Sequence, residues 1–260
     1  MQLPVTPNRQ LGQHFLVDPN ILGVIGRLAE LESDDVVLEI GAGLGVLTEF
    51  LGDRVRHVHA LELDRGLEPH LRERLRAHPN VELVFGDALT LPLDALDPAP
   101  AKLVANLPYQ VATPVVVESL DRLPAIALWC VMVQREVADR FFAPSGGRSY
   151  GAVSVLIRLT AERTGFHPVA RTCFQPPPNV DSALVAFHRK RRWGMEYAPL
   201  KELVQAAFAH RRKTLANSLE QAGIPREQAA AALAGLGVAP AARAEQLEPE
   251  QFVALAEALA

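Results

Sequence analysis

The sequence predicts an α/β protein: a parallel sheet covered by helices on both faces, followed by a small all-helical domain. Three observations carry that prediction. Short apolar runs alternate with helical periodicity through the first two-thirds of the chain, a β-α-β-α rhythm that builds parallel sheets. Those runs are apolar throughout rather than every second residue, as strands buried on both faces are. From Pro199 onward only helical periodicity remains.

The elements follow in order. Pro19–Glu30 reads as a helix capped by Asp18, whose carboxylate can accept a first-turn N–H. Val36–Ile40 is the first strand of the sheet; a glycine turn and a helix over Val46–Gly52 follow it. His57–Leu63 is a second strand and Gly66–Ala77 a charged amphipathic helix. Val81–Phe85 and Lys102–Asn106 are the third and fourth strands, Thr113–Asp121 a helix and Ile126–Val133 a buried fifth strand. Gln134–Phe142 and Ala152–Glu162 read as helices on either side of a loop, Ala143–Tyr150. Gly165–Phe174 and Ser182–Phe187 read as two more strands, joined through the stiff Pro176-Pro177-Pro178 turn. Arg189-Lys190-Arg191-Arg192 is a basic linker, and helices over Leu200–Ala222, Arg226–Ala234 and Pro249–Leu259 complete the chain, with Gly223 and Gly235 as stops. The expected domains are therefore 1–188 and 189–260.

Composition narrows the class. With 260 residues, 49% hydrophobic and 22% charged, the chain has ample material for a core and is neither a disordered acidic chain nor low-complexity. Two distant cysteines, Cys130 and Cys173, make neither a disulfide framework nor a zinc pair. The longest strongly apolar stretch, Ala125–Val133, is far short of the ~20 residues that span a bilayer. Met1–Gln10 lacks the apolar core of a signal peptide, so the expectation is a cytoplasmic protein. His57 and His59 flank a strand without evident ligand partners, and no metal is expected. The net charge of −4 is an average over unlike parts. Residues 1–188 carry 22 acidic and 16 basic side chains, whereas 189–213 carry 8 basic and 2 acidic ones, a compact patch suited to phosphates.

The chemistry lies at the strand ends. Glu39-Ile40-Gly41-Ala42-Gly43-Leu44-Gly45 follows a strand and opens a helix, yet it departs from the dinucleotide fingerprint: Val46 stands where the last glycine would be. Glu39 would also repel a pyrophosphate. A cofactor bearing an amine and a sulfonium, S-adenosylmethionine, suits the loop better. Glu62, at the next strand end, can accept from ribose hydroxyls, and Asp87, in Gly86-Asp87-Ala88, from an adenine amino group. Asn106-Leu107-Pro108-Tyr109 ends the fourth strand. There the Asn106 oxygen and a loop carbonyl can each accept an N–H of a planar amine and turn its lone pair toward a methyl donor. Pro108 stiffens the loop and Tyr109 offers a stacking face. DNA adenine and glutamine methyltransferases use similar loops; a nicotinamide dehydrogenase is disfavoured by the glycine spacing and by Glu39.

With these motifs in order, the chain resembles the small-subunit ribosomal RNA adenine N6,N6-dimethyltransferases of the KsgA type, whose first domain is a Rossmann-like S-adenosylmethionine-dependent methyltransferase sheet. The resemblance spans nearly the whole length and rests on Leu11–Leu16, Val37–Leu47, Glu62-Leu63-Asp64, Asn106–Tyr109 with Thr113-Pro114, Phe174–Ala183, and Ala207-Phe208 with Arg211–Leu215 and Asn217–Leu219. It implies dimethylation of two adjacent adenosines in a hairpin near the 3′ end of 16S rRNA, on immature 30S-type particles, by a monomer. It further implies that Gln13, His14 and Leu16 meet the methionine end of the cofactor, with Glu39, Gly41 and Gly43 beneath it. Glu62 and Leu63 would hold the ribose, Asp87 and Ala88 the adenine. Asn106, Leu107, Pro108 and Tyr109 would form the catalytic pocket, with Asn106 also at the cofactor and Phe174 stacking on the target base. Arg189, Lys190, Arg191, Arg192, Arg211, Arg212 and Lys213 would contact rRNA through the helical domain. His14 stands where some members carry asparagine. Erythromycin-resistance methyltransferases are expected to share the first domain but not the Phe174–Ala183 block. A non-catalytic assembly or transcription factor on this scaffold is the alternative, and the presence of Glu39, Glu62, Asp87, Asn106 and Tyr109 favours the enzyme.

Overall fold

The computed structural model describes residues 3–8, 11–190 and 196–260, and the chain forms two compact units. The first comprises 1–138 with 163–189, the second 139–162 with 190–260. This division falls between 189 and 190 and also groups 139–162 with the later helices. Tyr150 shows why. Read from sequence as part of a loop, it is fully buried, its hydroxyl donates to Leu247 O at 2.8 Å, and its ring meets Phe208 edge-on with centroids 5.8 Å apart.

In the first unit a short strand β1 (Phe15–Leu16) precedes α1 (Pro19–Leu28), capped as expected by Asp18, which accepts from Asn20 N. Then follow β2 (Val36–Ile40), α2 (Val46–Gly52), β3 (His57–Glu62), α3 (Glu68–Arg74), β4 (Val81–Phe85), β5 (Lys102–Asn106), α4 (Ala112–Arg122), β6 (Leu128–Gln134) and α5 (Arg135–Phe141). After α6 (Ala152–Thr160) come β7 (Ala161–Val169), β8 (Phe174–Gln175) and β9 (Ser182–Arg189). The seven-stranded sheet has the order β4-β3-β2-β5-β6-β9-β7. Pairings among β2 to β6 are parallel, while β9 runs antiparallel to β6. The register brings Ile40 opposite Leu61 and Glu62 opposite Phe85, so the carboxyl ends of β2, β3 and β4 finish side by side, where open α/β sheets bind ligands.

Two helices differ from the periodicity. The helix expected to reach Glu162 stops at Thr160, and the chain enters β7 with Ala161 in extended geometry. The helix expected over Leu200–Ala222 is two: α7 (Tyr197–Phe208) and α8 (Leu215–Gln221). Thr214 is extended and Leu215 N donates to Ala242 O at 2.8 Å, a tertiary bond that no local pattern signals. The intervening turn carries Arg211, Arg212 and Lys213, all exposed. Next, α9 (Arg226–Gly235) runs through the expected stop at Gly235, and Gly237, at φ +68°, ends it; α10 (Pro249–Leu259) matches the expectation. No helix among the described residues is long and apolar enough to cross a membrane.

Arg189 is a second correction. Its guanidinium donates to Ile126 O, Leu120 O and Leu123 O at 2.7, 2.8 and 3.0 Å and lies 4.8 Å over the Trp129 ring. It therefore caps the carbonyls at the end of α4 instead of presenting a cation to RNA. We expect Arg189→Ala to lower the unfolding free energy by about 2–3 kcal/mol in denaturant titrations. Arg189→Lys should recover little of that, since an ammonium cannot span three carbonyls. An unchanged midpoint in the alanine variant would refute the capping role.

Candidate active site

One pocket of about 180 Å³ lies at the carboxyl ends of the parallel strands. The glycine loop between β2 and α2 forms one wall. Gly41, Gly43 and Gly45 all have positive φ, at +85°, +57° and +76°. A side chain at Gly41 would put its Cβ 3.3 Å from Pro108 Cδ, and one at Gly43 3.2 Å from the Phe15 ring. The two glycines thus let the loop turn and let Pro108 and Phe15 close against it.

The loop's amides are already committed. Gly41 N and Ala42 N donate to Leu61 O, Gly43 N to Glu62 Oε2 and Gly45 N to Ala42 O, at 2.8–3.0 Å. These N–H groups are therefore not a cradle for a pyrophosphate, in agreement with the departure from the dinucleotide spacing. Glu62, at the end of β3, also takes Leu63 N and Asp64 N on Oε1, both at 2.8 Å. Three of its roughly four lone-pair directions are filled. A ribose diol at this carboxylate would share those bonds or displace one.

Glu39 is 1% exposed, and its Oε2 has no hydrogen-bond partner. Burial raises its carboxyl to about 8, with the nearby Glu62 charge adding and Thr48 opposing. An orphaned acid oxygen lining the pocket is a natural partner for a cationic group, as on the aminoacyl end of S-adenosylmethionine. The residues present therefore fit that cofactor.

The opposite wall is Asn106–Tyr109. Asn106 Nδ2 donates to His14 O at 3.4 Å, which leaves its carbonyl oxygen to accept. Tyr109 OH is 2.6 Å from Ser182 Oγ, and its ring lies 5.7 Å from that of His14. Burial raises the Tyr109 phenol, with Ser182 opposing and Asp181 adding, so it stays neutral near pH 7. His14 Nδ1 meets Pro176 O at 2.8 Å. Gln13 Nε2 donates to Asp64 Oδ2 at 2.9 Å, while Asp64 Oδ1 accepts from Gly66 N and starts a short 3-10 turn.

Gln13, His14, Leu16, Glu39, Gly41 and Gly43 line the pocket, and so do Glu62, Leu63, Asp87, Ala88 and Asn106–Tyr109. Gln110, Val111 and Val115 also line it and carried no signal in the sequence, being ordinary positions at the start of α4. Phe174 does not line it. That ring is 3% exposed in the core, its backbone paired with Leu16, so it presents no face to a base here. In the second unit, Arg211 donates to Arg148 O and Tyr150 O at 3.4 and 3.2 Å, and Lys190 Nζ to Arg158 O at 3.2 Å. Arg212 and Lys213 are exposed; Arg191 and Arg192 lie outside the described residues. Burial raises both thiols, Cys130 to about 12, so neither is a ready nucleophile. His57 and His59, read as partnerless, have Glu82 of β4 beside them.

The family model described as ribosomal RNA adenine dimethylase matches residues 5–260. A ribosomal RNA small subunit methyltransferase A from Rubrobacter xylanophilus is 47% identical, covering 96% of this chain and 94% of its own. Its namesake from Thermobifida fusca is 42% identical, over 98% and 91%. Among solved structures, a dimethyladenosine transferase from Plasmodium falciparum superposes with TM-score 0.79 at 26% identity, covering 93% of this chain and 96% of that one. The 23S rRNA methyltransferase ErmE superposes with TM-score 0.68 at 32% identity, covering 94% and 99%. That likeness runs over nearly the whole chain, beyond the first domain alone.

Glu39 generates a prediction. Without cofactor its carboxyl is mostly protonated at pH 7, and pairing with a cation requires the carboxylate. S-adenosylmethionine binding should therefore release close to one proton at pH 7 and tighten as pH rises toward 8. Calorimetry in two buffers of different ionisation heat reads this directly, and Glu39→Gln should abolish the buffer dependence. For the free protein the sign is opposite: a raised carboxyl adds stability that is full below 4.5 and lost as pH rises through about 8. Buffer-independent heats in the parent protein would exclude the pairing.

Proposed function

The chain belongs to the ribosomal RNA adenine dimethylase family, and from that membership we propose that it dimethylates N6 of two adjacent adenosines near the 3′ end of small-subunit rRNA. We further propose immature small subunits as the substrate particle and a monomer as the acting species. The observation that carries the reading is the contact between Gly41 and Pro108: the cofactor loop and the amine-accepting loop are two walls of one pocket.

S-adenosylmethionine, when bound, supplies an electrophilic methyl on a sulfonium. The protein's part is positioning. Pro108 O already accepts from Val111 N at 3.1 Å, and Leu107 N is held by Met132 O at 3.1 Å. We assign Leu107 O, next to Asn106 in the loop, as the carbonyl that pairs with Asn106 Oδ1 as the second acceptor for the adenine amine. Two acceptors hold both N–H bonds and expose the nitrogen lone pair. After one methyl has arrived a single N–H remains, so the second transfer is oriented by one acceptor alone. Tyr109, neutral and held by Ser182, stacks on the base and takes no proton; the proton leaves to water once nitrogen is positively charged. Glu39, Gly41 and Gly43, with Gln13, His14 and Leu16, surround the methionine portion, Glu62 and Leu63 the ribose, and Asp87 and Ala88 the adenine. Adenosine must leave its stack to reach such a pocket.

Among the expected RNA contacts, Arg212 and Lys213 retain the clearest claim, being exposed on the turn between α7 and α8. The intact set of Glu39, Glu62, Asp87, Asn106 and Tyr109 favours an enzyme over a non-catalytic assembly factor.

Asn106→Ala should keep the fold while lowering methyl transfer to unmethylated small subunits, at saturating cofactor, about 10²–10³-fold. Base-resolution mapping of the label should find it on two neighbouring adenosines; label on large-subunit RNA or on protein would overturn the assignment. The double variant Arg212→Ala/Lys213→Ala should weaken subunit binding and reduce its salt dependence by about one unit of slope per contact, with cofactor affinity unchanged. Equal salt slopes would remove the turn from the interface.

A further inference from the structure

His57 begins β3, at the end away from the pocket, and His59 follows on the same face. The register sets Glu82 of β4 opposite His59. His59 is fully buried, and its Nε2 lies 2.8 Å from Pro98 O. A carbonyl only accepts, so Nε2 carries a proton, and in the neutral ring Nδ1 is a lone pair. That lone pair lies 2.9 Å from Glu82 Oε2, itself an acceptor. His57 Nε2 is 3.6 Å from the same oxygen, shielded from solvent and without a hydrogen-bond partner. Two ring nitrogens and one carboxylate oxygen, all within 4.8 Å of one another, thus converge on one point.

Something positive belongs between them, a proton or a metal ion. A single proton can bridge His59 and Glu82 but leaves His57 Nε2 orphaned. The neutral Nε2–H tautomer of His57 would aim its donor at Glu82 Oε2 from 3.6 Å, too far for a hydrogen bond. One divalent ion satisfies all three atoms. We propose that His57 Nε2, His59 Nδ1 and Glu82 Oε2 form a zinc-type transition-metal site that clips β3 to β4, with water completing the shell. Two imidazoles and a carboxylate are ordinary zinc ligands, and the Pro98 carbonyl on the far nitrogen of His59 is the support that fixes a ligating histidine's tautomer. The site is remote from the methyl-transfer pocket and independent of the function proposed for it.

The test titrates the chelator-treated full chain with Co²⁺, then with Zn²⁺. One equivalent of Co²⁺ should give the visible ligand-field absorption of a four-coordinate nitrogen–oxygen site, and Zn²⁺ should displace it and raise the melting temperature. His57→Ala and Glu82→Gln should each weaken Co²⁺ binding at least about tenfold, with methyl transfer unchanged at saturating cofactor. The proposal is overturned by absent Co²⁺ absorption together with an unmoved melting temperature, which would mean a proton-only cluster. It is equally overturned by undiminished binding in both His57→Ala and Glu82→Gln, or by a sulfur-to-cobalt charge-transfer band, which would place the ion on a cysteine.

Discussion

The Glu62 carboxylate is the interaction on which the site depends. It sits at the end of β3, where the parallel strands stop, and holds three backbone N–H groups, one from the glycine loop and two from its own turn. With Leu61 O it consumes the amides of Gly41, Ala42 and Gly43. With those amides spent the glycine turn makes a poor phosphate cradle, and what it offers instead is acidic: Glu62 itself and the orphaned oxygen of Glu39. The chemistry of the cofactor follows from that inversion. The same bonds hold the loop in the positive-φ geometry that lets Pro108 approach Gly41, so the glycine-loop wall of the pocket and its Asn106–Tyr109 wall meet where this carboxylate fixes the turn.

The second constraint is the pairing of chain segments about 160 residues apart. β1 and β8 pair antiparallel, Phe15 with Gln175 and Leu16 with Phe174. This carries His14 to Pro176 O and to the Tyr109 ring, and Ser182, a few residues on, reaches the Tyr109 hydroxyl. Two blocks far apart in sequence thereby hold the Asn106–Tyr109 loop in place. Phe174 belongs to this framework as a core residue, which explains a strong motif position without a role at the base.

Legibility in the sequence tracked the locality of the physics. The strands β2, β4 and β5 are readable to the residue because each is a short, mostly apolar run between glycine, proline or polar stops. The pocket residues were readable because ligands bind at strand ends in such sheets, a topological rule that needs no side-chain detail. What failed was set by distant partners. The break between α7 and α8 depends on Leu215 N meeting Ala242 O, and the membership of 139–162 in the second unit depends on Tyr150 meeting Leu247 and Phe208. Arg189 was misread for the same reason: within a run of four basic residues nothing local marks the one whose guanidinium turns inward to α4. Glu82, too, becomes a neighbour of two histidines only through the β3–β4 register.

Folding redistributes the charge available to RNA. The 189–213 stretch has 8 basic side chains, but folding withdraws Arg189 into carbonyl capping and engages Arg211 and Lys190 with backbone oxygens of the second unit. The attraction left for phosphates is smaller than the count suggests, while the chain as a whole is net negative. Few phosphate contacts give weak, shallowly salt-dependent binding to RNA at large. Discrimination must then come from where an RNA presents an adenosine that can leave its stack and fit between the glycine loop and Asn106–Tyr109. A sparse cationic surface together with a closely built pocket favours one well-presented site over general RNA affinity, which is the balance a site-specific modifying enzyme requires.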